Sequence, residues 1–252
     1  MRFSPSFSKE YEVEVGLVDF RGNIKLSALF LCLQDAAVLH GEELGIGRKE
    51  MLAKHNGLWV LARMRVDLMR YPAWGERITV ETWPNLPGRV ECLRNFLVRD
   101  AQGEVLAKAV SVWVVIDVET RRLQKAESVF PEALQFISEK AIDAKLGKLR
   151  AEGELEPVHK RVVGYSDIDV NGHVNNAKYV DFIADCFSLA AHKKHRINSI
   201  EVNYSNEALP GETVTLYKDI SRLDQGLVYV EGVNAEGDKL IFKAKMGIEP
   251  CY

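Results

Sequence analysis

Hydrophobic and polar positions along the chain fall into one arrangement that occurs twice. Residues 11–16 alternate as a strand does, and the apolar run from Leu26 to Leu44 is too long for a strand and predicts a helix. Leu26, Leu29, Phe30, Leu33, Ala37 and Leu44 mark one stripe, while Leu31, Cys32 and Val38 add apolar side chains elsewhere, so a helix buried nearly all round is expected. Four strands should follow, over Leu58–Leu68, Arg77–Trp83, Val90–Arg99 and Val105–Asp117. Turn-forming runs such as Tyr71-Pro72-Ala73-Trp74-Gly75 and Pro84-Asn85-Leu86-Pro87-Gly88 separate them.

The order then recurs. A strand is expected at Lys160–Tyr165, a helix over Ala177–Ala191, and strands near Ile197–Tyr204, Thr213–Ile220, Leu227–Val233 and Lys239–Ile248. Residue matches support an internal duplication: Asp19-Phe20-Arg21-Gly22-Asn23-Ile24 aligns with Asp169-Val170-Asn171-Gly172-His173-Val174, and Asp35 falls over Asp185 in the same register. Trp74-Gly75-Glu76 matches Pro210-Gly211-Glu212. The expected boundaries are residues 1–118, a linker at 119–158, and residues 159–252. The linker is charged and mixed, with an amphipathic stretch around Ala133–Ile142 that suggests partial helix. A buried helix cradled by an antiparallel sheet, repeated in tandem, describes an α+β double hotdog fold.

Composition narrows the function classes. The chain has 252 residues, 47% hydrophobic and 27% charged, with a formal charge of −3, which suits a globular protein and offers no global basic face for nucleic acid. No apolar run reaches the roughly 18 residues of a membrane span, and the first residues lack the apolar core of a secretory signal. The four cysteines, Cys32, Cys92, Cys186 and Cys251, have neither zinc-site spacing nor a disulfide pattern. A cytoplasmic location is the expectation.

Candidate chemistry concentrates in Ser166-Asp167-Ile168-Asp169-Val170-Asn171-Gly172-His173-Val174-Asn175-Asn176. Asp169, Asn171 and His173 alternate, so an extended or looped backbone would turn all three to one side. The helix expected after them would aim first-turn N–H groups at a bound carbonyl. Arg21 and Asn23 occupy the matching positions in the first half and cannot form a neutral acid/base pair, so the second half holds the reactive groups. The first half is freer to build an apolar cavity, with Trp59, Trp74, Trp83 and Trp113 as available walls.

The chain resembles the acyl-acyl carrier protein (acyl-ACP) thioesterases of bacteria and plant plastids. The resemblance is carried by Leu58-Trp59-Val60, Tyr71 to Glu76, Val98-Arg99-Asp100, Ser111 to Val114 and Thr120 to Leu123, and most specifically by Tyr165 to Tyr179. It implies the tandem hotdog fold and hydrolysis of fatty acyl-ACP to free fatty acid and the carrier protein. It also implies catalytic roles for Asp169, Asn171, His173 and a strand carboxylate, Glu207. The plant enzymes commonly carry Cys after that Glu, where this chain has Ala208, so a Cys–His route is closed. Neither metal nor cofactor is implied. Glu207 is expected to activate a water, with first-turn N–H groups, Asn171 or His173 binding the oxyanion; attack by Asp169 or Glu207 as a nucleophile is the alternative.

The resemblance further implies an acyl tunnel in the first half, its length set by a side chain along Leu26–Leu44. The expected partner is acyl carrier protein with its phosphopantetheine-linked chain. His192-Lys193-Lys194-His195-Arg196 and Lys145 to Arg150 are candidate basic docking runs. An acyl-CoA thioesterase of the same fold and a non-catalytic acyl-binding protein are the competing readings. Monomer and homodimer are both compatible.

Overall fold

The computed structural model describes residues 3–236 and 239–251. The chain divides into two compact units, Met1–Leu146 and Gly147–Tyr252. Each contains a five-stranded antiparallel sheet. In the first unit the strands are β1 (Phe7–Glu12), β2 (Gly57–Leu68), β3 (Arg77–Pro84), β4 (Glu91–Asp100) and β5 (Val105–Asp117), in the spatial order β1-β3-β4-β5-β2. The second has β6 (Glu156–Val162), β7 (His195–Tyr204), β8 (Thr213–Asp219), β9 (Leu227–Asn234) and β10 (Lys239–Pro250), in the order β6-β8-β9-β10-β7. Strand for strand, these are the same topology, and the fold is the hotdog type repeated along the chain.

The duplication extends to individual hydrogen bonds. In the first unit Asp19 N–H donates to Asn23 O at 2.8 Å and Gly22 N–H to Asp19 O at 3.0 Å; in the second, Asp169 N–H donates to His173 O at 2.9 Å and Gly172 N–H to Asp169 O at 3.0 Å. Both loops need glycine at the third position of the turn, where φ is 74° at Gly22 and 80° at Gly172. Glu76 and Glu212 close matching turns by accepting from Ala73 N–H and Leu209 N–H.

Helix α1 (Leu26–Glu43) appears where the apolar run predicts it, but it is not buried all round. Leu31 and Val38 are 41% and 51% exposed, because the sheet covers one side of the helix and leaves the other to solvent. A short helix, α2 (Arg48–His55), which the periodicity did not reveal, follows and packs Met51 against Leu44, Ile46 and Val115. The second unit's helix is shorter than expected. It runs as α3 (Asn176–Ala184), stops in a turn at Cys186 and Phe187, and the chain re-enters helix as α4 (Leu189–Lys194), capped by Ser188 Oγ accepting from Ala191 N–H. Phe182 and Phe242 fill this unit's core, and Gly232, opposite Phe242, is required because a Cβ there would penetrate the Phe242 ring.

Residues 133–142 are irregular instead of helical. They form a strap over the face of the first sheet that points away from α1, and side chains of that sheet take the place of helical hydrogen bonds. Trp83 Nε1–H donates to Glu139 O at 2.9 Å, Asn85 Nδ2–H to Ile137 O at 2.7 Å, and Ala141 N–H donates to Asn95 Oδ1 at 3.0 Å. Ile142 and Leu146 then cover Val110 and Val112.

Candidate active site

Asp169, Asn171 and His173 lie in the tight loop between the isolated bridge pair Ile168 and Val174. Asp169 Oδ1 accepts from the Asn171 backbone N–H at 2.8 Å, which closes the loop and makes Asp169 in part a structural group, as Asp19 is in the first unit. Asn171 Nδ2–H points back to Asp169 Oδ2 at 3.4 Å. A buried network below holds the loop: Asp167, 2% exposed, accepts from Gly164 N–H and from Arg161, and its carbonyl accepts from Asn175 N–H.

Glu207 lies beyond the end of β7, in the turn after Tyr204, and not on the strand itself. Three contacts fix that turn. Val174 N–H donates to Ala208 O at 3.2 Å, Ala208 N–H donates to the Tyr179 hydroxyl at 3.2 Å, and Lys239 Nζ donates to Glu207 O at 3.1 Å. The result places His173 Nε2 3.4 Å from Glu207 Oε2, with both side chains partly exposed, at 30% and 40%. Two residues 34 apart in sequence thereby come within 3.4 Å of each other. Tyr179 is the member that the motif contained without revealing its role. Its ring packs on Phe182, Tyr204 and Phe242, and burial, with the Glu207, Glu212 and Asp169 carboxylates adding to it, holds its hydroxyl far above the ordinary range and keeps it protonated.

The start of α3 offers less to a ligand than expected. Asn175 Oδ1 accepts from Ala177 N–H at 2.9 Å and Lys178 N–H donates to Asn175 O at 2.8 Å, so these first-turn donors are engaged by the cap itself. Ala208 is fully buried. Burial pushes the Cys32 thiol up to about 11 and those of Cys92 and Cys186 up to about 12, which leaves them protonated and unreactive. Among the described residues no three His, Cys, Asp or Glu side chains converge to hold a metal ion, and no helix is long and apolar enough to cross a membrane.

The tryptophans do not act together as a wall. Trp83 is turned to the strap, Trp59 donates to Ile46 O and packs on Phe130, and Trp74 is 64% exposed. Trp113 donates to Ser111 Oγ on the side that faces α1.

The sequence profile of the acyl-ACP thioesterase N-terminal domain matches residues 4–134, and that of the C-terminal domain matches residues 151–246. The chain belongs to the acyl-ACP thioesterase family. Membership places the Asp169 to His173 loop within the C-terminal family domain and α1 within the N-terminal one. Among curated members, the chain is 33% identical over 80% of its length to a palmitoyl-acyl carrier protein thioesterase of Gossypium hirsutum, covering 52% of it. It is 29% identical over 86% of its length to a dodecanoyl-[acyl-carrier-protein] hydrolase of Cinnamomum camphora, covering 61% of it. The chain thus spans between half and two thirds of these relatives. Among solved structures, an acyl-ACP thioesterase from Bacteroides thetaiotaomicron superposes with a TM-score of 0.87 at 27% identity, over 97% of this chain and 98% of that one. A 12:0-ACP thioesterase from Umbellularia californica gives 0.83 at 25% identity, over 98% of both chains.

Proposed function

We propose that this protein hydrolyses the thioester of fatty acyl-ACP, releasing free fatty acid and the carrier protein with its phosphopantetheine thiol. The pairing of His173 with Glu207 beside the Asp169 loop carries this reading, together with family membership across both halves. A thioester carbonyl is already activated, so hydrolysis needs a directed water and a donor for the developing oxyanion. The Glu207 carboxylate, 3.4 Å from His173 Nε2, keeps lone pairs to orient and deprotonate a water. Asn171 Nδ2 and the imidazole are the side-chain donors available to the oxyanion, and one preorganised donor contributes on the order of 3 kcal/mol. Asp169 holds Asn171 at its backbone and side chain. Attack by Glu207 or Asp169 as a nucleophile to form a mixed anhydride uses the same residues.

In this reading the second unit performs the chemistry and the first binds the acyl chain between α1 and the sheet. The free, mostly buried cysteines fit action in a reducing cytoplasm. The candidate docking cations are partly committed elsewhere: Arg196 is paired with Glu249, and His192 Nε2 lies 2.9 Å from Ala184 O. Purified protein incubated with acyl-ACP and acyl-CoA of equal chain length tests the proposal. Release of free fatty acid with the carrier protein preferred is the expected result; preference for acyl-CoA would assign it to the competing thioesterase class, and no release from either would leave only acyl binding.

A further inference from the structure

The two units build the same turn beside the same loop, so a contact found in only one of them is not required by the fold. In the second unit Val174 N–H donates to Ala208 O at 3.2 Å and Gly211 N–H to Val163 O at 2.9 Å; in the first, Ile24 N–H donates to Pro72 O at 2.8 Å and Gly75 N–H to Val13 O at 2.9 Å. These bonds recur because they shape the backbone. Two side-chain bonds of the second unit have no such counterpart. Ala208 N–H donates to the Tyr179 hydroxyl at 3.2 Å, and the Tyr204 hydroxyl donates to Asn176 O at 3.3 Å. In the registers that align Asp19 with Asp169 and Gly75 with Gly211, buried Leu29 and Leu68 stand where Tyr179 and Tyr204 do. Pro72, which has no N–H, stands where Ala208 does.

The two hydroxyls cross. Tyr179 reaches from α3 to the Glu207 turn, while Tyr204, the last residue of β7, reaches from the strand that leads into that turn to the first residue of α3. Their rings lie 6.0 Å apart, and burial raises both hydroxyls far above the ordinary range, so each stays protonated. α3 begins three residues after His173, and Glu207 follows Tyr204 by three. The crossed bonds therefore tie together the two segments that hold His173 Nε2 3.4 Å from Glu207 Oε2. The first unit, with leucine at both tyrosine positions, carries Asn23 and Tyr71 where the second has His173 and Glu207. Hydroxyls and reactive groups occur in the same half, and the leucine pair shows that the turn forms without them.

We propose that Tyr179 and Tyr204 are positioning residues for the hydrolysis, a crossed pair of hydroxyls that sets the distance between Glu207 and His173. The proposal rests on the reading that these two groups carry the chemistry. Neither tyrosine exchanges a proton with substrate; each acts through the segment it holds. Phenylalanine at position 179 keeps the ring packing on Phe182 and Phe242 but frees the Glu207 turn to shift against α3. Displacing a reacting group by about 1 Å is enough to cost about a hundredfold in rate.

Hydrolysis of acyl-ACP by the full chain tests this with Tyr179→Phe, Tyr204→Phe and each change combined with Glu207→Gln, urea midpoints being measured alongside. Each tyrosine change alone should lower kcat about tenfold to a hundredfold, with KM within about twofold of the wild type. In the Glu207→Gln background the same changes should alter the residual single-turnover rate by less than about twofold, because the group they position is gone. A loss of equal size in both backgrounds marks a general structural effect and overturns the proposal, as does an unchanged kcat in either folded single variant. If Tyr179→Phe does not fold, Tyr179→Leu with Ala208→Pro, which copies the Leu29 and Pro72 pair of the first unit, carries the same comparison. Activity that falls in Glu207→Gln but is indifferent to either tyrosine leaves the thioesterase reading standing and removes this one. Glu207→Gln as active as the wild type removes both.

Discussion

Arg161 Nη2 donates to Asp167 Oδ1 at 2.9 Å, while its Nη1 reaches Asp185 at 3.4 Å and its guanidinium lies 4.4 Å from the Phe182 ring centroid. Asp167 immediately precedes the loop that carries Asp169, Asn171 and His173, so this contact ties the loop to β6 and α3. In the register that aligns Asp19 with Asp169, the first unit has Tyr11 and Leu17 at these two positions, and Tyr11 donates to Asp35 instead. The clamp accompanies the half that carries the candidate chemistry. Arg161→Leu should leave the Asp167 carboxylate underpaired and cost about 1–3 kcal/mol in urea unfolding. It should also lower kcat more than it raises KM, with partial recovery in Arg161→Lys; an unchanged kcat in the folded variant would show that the loop holds its geometry without the clamp.

The His173 and Glu207 pair predicts a shared loss. Glu207→Gln and His173→Ala should each reduce kcat on the order of 10²- to 10⁴-fold, with KM little changed and the melting temperature retained. The double variant should be scarcely worse than either alone, because in the proposed mechanism both groups serve the same step. Additive losses would separate their roles. Tyr179→Phe removes the acceptor for Ala208 N–H and should lower kcat while leaving the fold intact, as judged by circular dichroism.

Acid stability should report on His40. Burial, with Arg94 adding to it, pushes its imidazole down to about 4. Below about pH 6.5 the unfolded chain binds a proton at this residue that the folded chain refuses. Stability from this source is therefore complete above pH 6.5, falls as pH drops toward 4, and stays flat below that. The window contributes at most about 3 kcal/mol. Urea titrations between pH 4 and 7 should show a steeper decline for the wild type than for His40→Gln, whose amide can accept from Arg94 but does not titrate. Equal slopes would exclude His40 as the source.

The strap over the first sheet should depend on Asn95. Its Oδ1 accepts from Ala141 N–H, its Nδ2–H donates to Asn85 Oδ1 at 2.9 Å, and the residue is fully buried. Asn95→Leu strands both partners and should cost about 1–3 kcal/mol per unsatisfied group. Limited proteolysis should then cut within residues 131–146 well before the wild type is cut there. Cleavage at the same rate in both proteins would show that Ile142 and Leu146 suffice to hold the strap.

The sequence alone determined the strand pattern, the duplication and the loop chemistry, because all three are written in local repeats. Strand alternation over Val105–Asp117 needs only period-2 burial, and the Asp169 to Gly172 turn needs only an Asx side chain and a residue free to take positive φ. Tertiary structure decided what depends on distant partners. Helix periodicity in residues 133–142 gave way to a strap once Trp83, Asn85 and Asn95 satisfied its backbone. The second helix broke at Cys186, although its apolar composition continues, because a side-chain cap at Ser188 starts a new one. Glu207 could be assigned only through resemblance, since its approach to His173 arises from the Tyr179 hydroxyl and the Val174 and Ala208 backbones. Arg94 is the clearest case. In sequence it is one arginine in an alternating strand, and only the placement of α1 over that face makes it a buried cation with a neutral histidine as its neighbour.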